Sequence, residues 1–448
     1  MDDSILKDQL QQIVQLSQAV IAKMSKELVI RFDLQSVEQK EIEGFVYNND
    51  GASYERSSRS FKQIKNWTKA CFDVYYAVAP SNQFLALDKV VKEKYPEPHQ
   101  TNIVSQYAFK LFYILFKSEN AEQEKAIDGL NTVFLQQLNG NPHFTKGTAY
   151  LNGIILEQDI QIADGCLLRR TVKNDLEQPQ NSVNEGRHLP VPSAVLEIEL
   201  QLTGKQHGLI QEKIVLMVQL LRLFDVGSIN YNHYEMQFDI ITGAHMSAGS
   251  MHGFLHPWKK YHLKGGDEAR FIHFVNHLIK EKDLLNSSKS VNHINIAFDR
   301  YSEALLENVS IERRIANAVM GLEALLSDPS PEIKFKLSLR ISKLLAFFGF
   351  APLIVKSFVS KAYDIRSSFA HGGHLSINDK NKLEANFQGA DTFTTTILSY
   401  LRVCIVINIA TGIKKKDLML AIDDSLLDIQ ASQKLANRLE PANQFLIK

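Results

Sequence analysis

The stretch Tyr363-Asp364-Ile365-Arg366-Ser367-Ser368-Phe369-Ala370-His371-Gly372-Gly373 closes an amphipathic helical pattern that opens near Pro352. Proline suits the first turn of a helix, where its missing N–H costs nothing. Ile354, Phe358, Ile365 and Phe369 mark one face, and Gly372 suits a left-handed terminator. Arg366 and His371 stand near the end of this helix with four residues between them. One is a permanent cation able to hold a phosphate; the other is of a type that titrates near neutrality and moves protons. Five residues correspond to roughly 140° of rotation and about 7.5 Å of rise, so the two share a face only where the helix frays. Gly372-Gly373 permits that fraying, and the geometry also suits a site completed by a second copy across a two-fold axis. In such a site a histidine acts as general acid or base on a ribose 2′-hydroxyl and its leaving oxygen, while Arg366 grips the scissile phosphate.

Outward from this helix the last third reads as a bundle. Helical patterns span 294–306 and 311–326, separated by a break at Asn308 to Ser310, and Asp328-Pro329-Ser330-Pro331 stops the second. A third spans 333–348 and ends at Gly349; 393–409 and 418–435 complete the set. The expected bundle covers 291–448.

Upstream the pattern is mixed. Helices are expected over 5–24, 61–78, 104–116 and 124–138, with short strands at 28–34 and 41–47. Tyr107, Phe109, Phe112, Tyr113 and Phe116 read as core rather than as a binding platform. Strands are expected at 148–156, 160–162, 166–172, 195–202 and 229–241, with Asp164-Gly165 a turn, and 210–224 is a strongly apolar helix. The polar run 174–192 reads as a surface loop or lid, and 243–266 as a loop. The fold class is therefore α+β: an N-terminal helical region with a few strands (1–145), a strand-rich α+β region (146–290) and the all-α bundle.

Composition is that of an ordinary globular chain, with 45% hydrophobic and 22% charged residues and a formal net charge of +0. Any nucleic-acid surface must be local and salt-sensitive. Cys71, Cys166 and Cys404 are far apart and lack metal-ligand spacing, which fits a reducing, cytoplasmic setting. The acidic start Met1-Asp2-Asp3-Ser4 does not read as a secretory signal. The apolar run 394–413, interrupted by Ser399, Arg402 and Asn408, reads as a buried core helix, so no membrane partner is expected.

Three blocks in order resemble an Apea-like HEPN domain: Leu322-Glu323-Ala324-Leu325-Leu326, Lys336-Leu337-Ser338-Leu339-Arg340-Ile341, and Tyr363 to Gly373. The resemblance covers about the last 150 residues. It implies a helical bundle that dimerises and brings two arginine–histidine motifs into one metal-independent endoribonuclease centre, with host defence against phage as the family role. It assigns catalysis to Arg366 and His371 and maps the polar residue after the arginine onto Ser367. A weaker similarity, carried by Leu151-Asn152-Gly153, Asp164-Gly165 and Leu168-Arg169, relates the middle of the chain to the segment that accompanies such domains. The trigger of the nuclease is expected to bind the N-terminal region. No cofactor and no metal are expected.

Between 331 and 375, seven basic residues (Lys334, Lys336, Arg340, Lys343, Lys356, Lys361 and Arg366) face two acidic ones, Glu332 and Asp364. Such a patch suits an RNA backbone, with Lys361 and Arg340 as contacts; its bland alternative is a solvated helix face. Asp364 either orients Arg366 or weakens its grip on phosphate, and Glu323 reads as a structural partner for an arginine. His374 is a rival to His371 outside the motif. His252, His256, His262, His273 and His277 show no metal-binding pattern. The competing reading of the whole is a non-catalytic bundle that binds RNA, a nucleotide or a partner protein.

Overall fold

The computed structural model describes residues 3–26, 30–94, 102–118, 120–177, 191–202, 208–238, 241, 246–249, 257–280, 292–328 and 332–446. Helix α1 (Asp3–Lys26) precedes an antiparallel ribbon of β1 (Asp33–Glu43) and β4 (Arg56–Asn66), which carries the short pair β2 (Val46–Asn48) and β3 (Gly51–Ser53) at one end. The ribbon corrects two expectations: of the strands expected at 28–34 and 41–47, residues 28–29 lie outside the described residues, 33–34 and 41–43 belong to the one long strand β1 and 46–47 to β2, and only Thr68–Val78 (α2) of the expected 61–78 helix is helical. Phe61, Ile64 and Thr68 imitate a helical spacing, but eleven cross-strand pairs from Asp33↔Asn66 to Glu43↔Arg56 hold this segment extended. Helices α3 (Asn82–Lys94), α4 (Ile103–Lys117) and α5 (Asn120–Leu138) follow. Leu10, Ile13, Val74, Leu87, Tyr107, Leu111, Phe112 and Phe134 meet in a core of their own. Tyr113 departs from the expected core and is 46% exposed.

The middle of the chain holds β5 (His143–Asn152), β6 (Ile154–Leu156), β7 (Ile160–Ala163), β8 (Cys166–Arg170), a short α6 (Lys173–Glu177), β9 (Ala194–Leu202), α7 (Gly208–Phe224), β10 (Asn230–Phe238), β11 (Met246–Gly249), β12 (Tyr261–Leu263) and α8 (Glu268–Leu278). Six strands form one antiparallel sheet in the order β11-β10-β5-β9-β8-β7, while β6 and β12 pair in parallel. Leu196 and Ile198 alternate with Glu197 and Glu199 as expected, the apolar residues turned to the core. Gly147 lets α7 lie against β5, since a Cβ there would overlap Ile210. The expected 174–192 loop contains α6, and its residues 178–190 lie outside the described residues, as do His252 and His256. The expected 243–266 loop contains β11 and β12.

The bundle comprises α9 (His293–Leu306), α10 (Ile311–Leu326), α11 (Ile333–Ala346), α12 (Pro352–Ala370), α13 (Ile377–Phe387), α14 (Ala390–Thr411), α15 (Lys415–Leu427) and α16 (Ile429–Leu446). The fold is α+β, with antiparallel sheet upstream and helices alone at the C-terminal end. Helix α14 is the one described helix long and apolar enough to cross a membrane, and 72% of its most apolar window is buried within this structure. Arg402, on that helix, donates to the carbonyls of Leu223 (3.0 Å) and Phe224 (2.8 Å) at the end of α7, groups that have no helical partner. Tyr301 of α9 donates to Arg222 O at 2.9 Å. Sheet, α7, α8 and bundle thus share one continuous apolar core, so the boundary expected at 290 does not divide the core.

Candidate functional site

Helix α12 begins as its sequence dictates, with Pro352 in the first turn. Its buried stripe is Val355, Val359, Ala362 and Ile365; Ile354, expected on this face, is 56% exposed. The helix ends in a Schellman motif: Gly373 N–H donates to Ser368 O at 2.9 Å and Gly372 N–H to Phe369 O at 3.0 Å. Gly372 takes φ +80°, which a side chain would resist. His371 is the C-cap residue, exposed, at the point where the chain leaves the helix.

Arg366 lies one turn and a half before that end and faces α10. Its Nη2 donates to Glu323 Oε2 at 3.2 Å, and its guanidinium sits 5.8 Å from the centre of the Tyr363 ring. Among the described residues Glu323 is its one hydrogen-bond partner, which leaves further donors of the fork for an anion. Burial raises the Glu323 carboxyl above the ordinary range, and the charge and hydrogen bond of Arg366 oppose that rise. Asp364 does not serve Arg366: it pairs with Lys334 at 2.6 Å on the exposed side of the helix. Ser367 is half-buried between these two positions.

The expected basic patch is largely neutralised by its surroundings. Arg340 is a correction: its side chain is 6% exposed, bonded to Asp423 at 2.9 and 2.7 Å and to Leu326 O at 3.1 Å. A cation committed in this way braces α11 against α15 and offers nothing to a phosphate. Lys343 donates to Ser432 at 3.1 Å. Lys361 stays at the site, 3.9 Å from Asp379 Oδ1, a distance that leaves its ammonium able to turn to another anion.

Beside the motif lies a cavity of about 170 Å³ lined by Glu312, Lys361, Ser368, His374, Leu375 and Asp379, among others. Glu312 is a residue the sequence reading missed. It accepts from Leu375 N–H at 3.0 Å. Burial alone would raise its carboxyl, but hydrogen bonds from its own backbone, Leu375 and Ser310, with the charge of His374, hold it below the ordinary value. Asp379 and Ser376 cap α13 reciprocally, a pattern legible as Ser376-x-x-Asp379. His374, set aside as loop, lines this cavity, whereas His371 projects from the helix end.

The chain therefore carries an arginine with spare donors and an exposed histidine on α12, and brings His374 and Lys361 together at the neighbouring cavity. His273 and His277 pack on Phe445, and no group of three or more metal-ligating side chains occurs among the described residues. No family model matches the chain, and no curated protein and no solved structure does so either.

Proposed function

We propose that the bundle is a cytoplasmic, metal-independent endoribonuclease whose reacting groups are Arg366 and His371. The observation that carries this reading is the capped end of α12, which presents His371 to solvent five residues after a guanidinium that spends one hydrogen bond on Glu323; the helix stays regular to Ala370, so the two point about 140° apart within one chain. The 2′-hydroxyl oxygen attacks the adjacent phosphorus as a histidine takes its proton; the P–O5′ bond breaks, and the leaving oxygen gains a proton from a second histidine. The products are a 2′,3′-cyclic phosphate and a 5′-hydroxyl, and the guanidinium fork stabilises the charge that develops on the phosphoryl oxygens. Two histidines are needed in opposite protonation states. A second copy placing its own α12 end against the first supplies the other, which is the role of the homodimer. Ser367 and Lys361, in this reading, add donors to the phosphate chain, and Glu323 holds the arginine in place. In this reading RNA such as tRNA is the substrate, the upstream regions receive the trigger, and the cell gains defence against phage.

The Arg366–Glu323 ion pair favours a second reading, in which the same surface binds RNA, a nucleotide or a protein without cutting it. Incubating wild type and His371→Ala with total RNA and tRNA in EDTA, then mapping product ends, separates the two. Cyclic-phosphate ends from wild type alone support the nuclease. Salt-sensitive RNA binding without cleavage by the dimer supports the binding module and sinks the catalytic assignment.

A further inference from the structure

Far along the chain from the bundle, the β1–β4 ribbon is exposed along most of its length and leads into an aromatic groove on the N-terminal helices. Strand β4 carries Arg56, Arg59, Lys62 and Lys65 and no acidic residue. The register sets Lys40 opposite Arg59 and Leu34 opposite Lys65, so Lys40, Arg59 and Lys65 share a face with Phe61, which is 70% exposed and stands opposite Glu38; the other acidic residues of β1 are Asp33, Glu41 and Glu43. Lys65 then reaches over the rings of Phe32 (5.0 Å) and Trp67 (5.6 Å), and Trp67 stacks on Phe116 at 5.1 Å with only 8° between the planes.

The groove begins where this run of rings ends. It has a volume of about 570 Å³ and is lined by Phe72, Phe109, Lys110, Tyr113 and Ile114, with Cys71 at its floor. Phe72 and Tyr113 are each nearly half exposed, and Lys117 sits over the Tyr113 ring at 5.5 Å. Neighbouring Tyr76 is 70% exposed and 6.3 Å from Phe72. Monomeric surfaces do not ordinarily leave so many large rings in water together.

We infer that this ribbon and groove bind single-stranded nucleic acid. Bases present flat faces that stack on exposed rings at about 1–3 kcal/mol each without regard to sequence, while phosphates track interleaved cations. Here Arg59, Phe61 and Lys65 follow one another on one face, and Lys65 lies over the rings of Phe32 and Trp67, which suits a chain that alternates base and phosphate. A membrane-binding face would instead separate an apolar stripe from a basic one. An eleven-residue ribbon is about 36 Å long, enough with the groove for a run of several nucleotides. The inference does not depend on the nuclease reading, because it concerns different residues and a binding step alone.

The test is fluorescence anisotropy of the full chain with a 20-residue 2′-O-methyl uridine strand, which has no 2′-hydroxyl to attack, a deoxythymidine 20-mer and a blunt duplex of equal length. At least tenfold tighter binding of either single strand than of duplex is expected, and the preferred strand tells RNA from DNA. Phe61→Ala with Tyr113→Ala should weaken that binding at least tenfold, and Arg59→Glu with Lys65→Glu should weaken it and flatten its salt dependence. All four positions are exposed, and circular dichroism with the thermal midpoint checks that the variants fold. Lys434→Glu with Arg438→Glu, exposed on α16 of the bundle and outside both sites, should bind as wild type does. Wild-type affinity in both ribbon variants, loss only in the bundle variant, no preference over duplex, or capture by phosphatidylserine vesicles in place of oligonucleotides would each overturn the inference.

Discussion

Two regions of the same bundle use arginine in opposite ways. Around α11 and α14 the cations are committed to the scaffold: Arg340 holds Asp423 with two donors, and Arg402 spends one nitrogen on two carbonyls at the end of α7. Near the end of α12, Arg366 makes one bond to Glu323, five residues before an exposed histidine. The sheet repeats the committed pattern, with Arg169 bound to Asp175 at 2.7 and 2.9 Å and to Glu197 at 2.9 Å. A guanidinium whose donors are filled is part of the scaffold; one with donors left over is available for an anion.

The largest effect that tests this contrast is on RNA cleavage. Arg366→Ala or His371→Ala should lower the rate about 10²- to 10⁴-fold, the range for loss of a proton-transfer group, with little change in the unfolding midpoint. Cleavage at the wild-type rate by both variants removes the α12 end from the chemistry. In urea unfolding, Arg340→Met should cost about 2–3 kcal/mol, because it removes charge-assisted hydrogen bonds of a buried guanidinium to half-exposed Asp423, whereas Arg366→Met should cost about 1 kcal/mol or less. Equal costs would make Arg366 another scaffold cation and end the comparison.

A smaller effect appears with pH. Burial alone would raise the Glu197 carboxyl, but hydrogen bonds from Lys146 and Arg169, with their charges, hold it below its ordinary value near 4.5. Its folded pKa is depressed, so its contribution is present above about pH 4.5 and is lost as pH falls through the folded value. The stability gap between wild type and Glu197→Gln, about 1 kcal/mol at neutral pH, should therefore close on acidification. A gap that is constant from pH 7 to 3 would mean that the network is worth nothing as charge. Least of all, Gly372→Ala should cost about 1 kcal/mol through its left-handed φ while disturbing His371 locally. Wild-type stability in that variant would show that the cap gives way freely.

Much of the bundle was legible because its punctuation is local. Ser310 before 311–326, Pro352 at the head of α12 and Gly372 behind it mark ends that the structure places where expected. The ribbon was not legible: its apolar residues are sparse, both faces meet water, and its extended form rests on pairing with residues up to 33 positions away. Helices α3 and α13 were missed for a similar reason, having weak apolar stripes that gain meaning only against their neighbours. At the candidate site, spacing and resemblance singled out Arg366 and His371, and Glu323, read as an arginine's partner, pairs with Arg366. Glu312 was invisible because its role depends on Leu375, 63 residues away.

By itself the amino-acid sequence determined the α+β class, where α12 starts and stops, and that an arginine and a histidine stand near its end. Those outcomes follow from φ restrictions and apolar periodicity, which act over a few residues. Only the tertiary structure decided which cations remain available: Arg340 is taken by Asp423, Lys334 by Asp364, and Arg366 keeps donors to spare beside Glu323. Identical side chains differ in this way because the partners that fill or spare their donors come from helices distant in sequence, and packing alone brings them within reach.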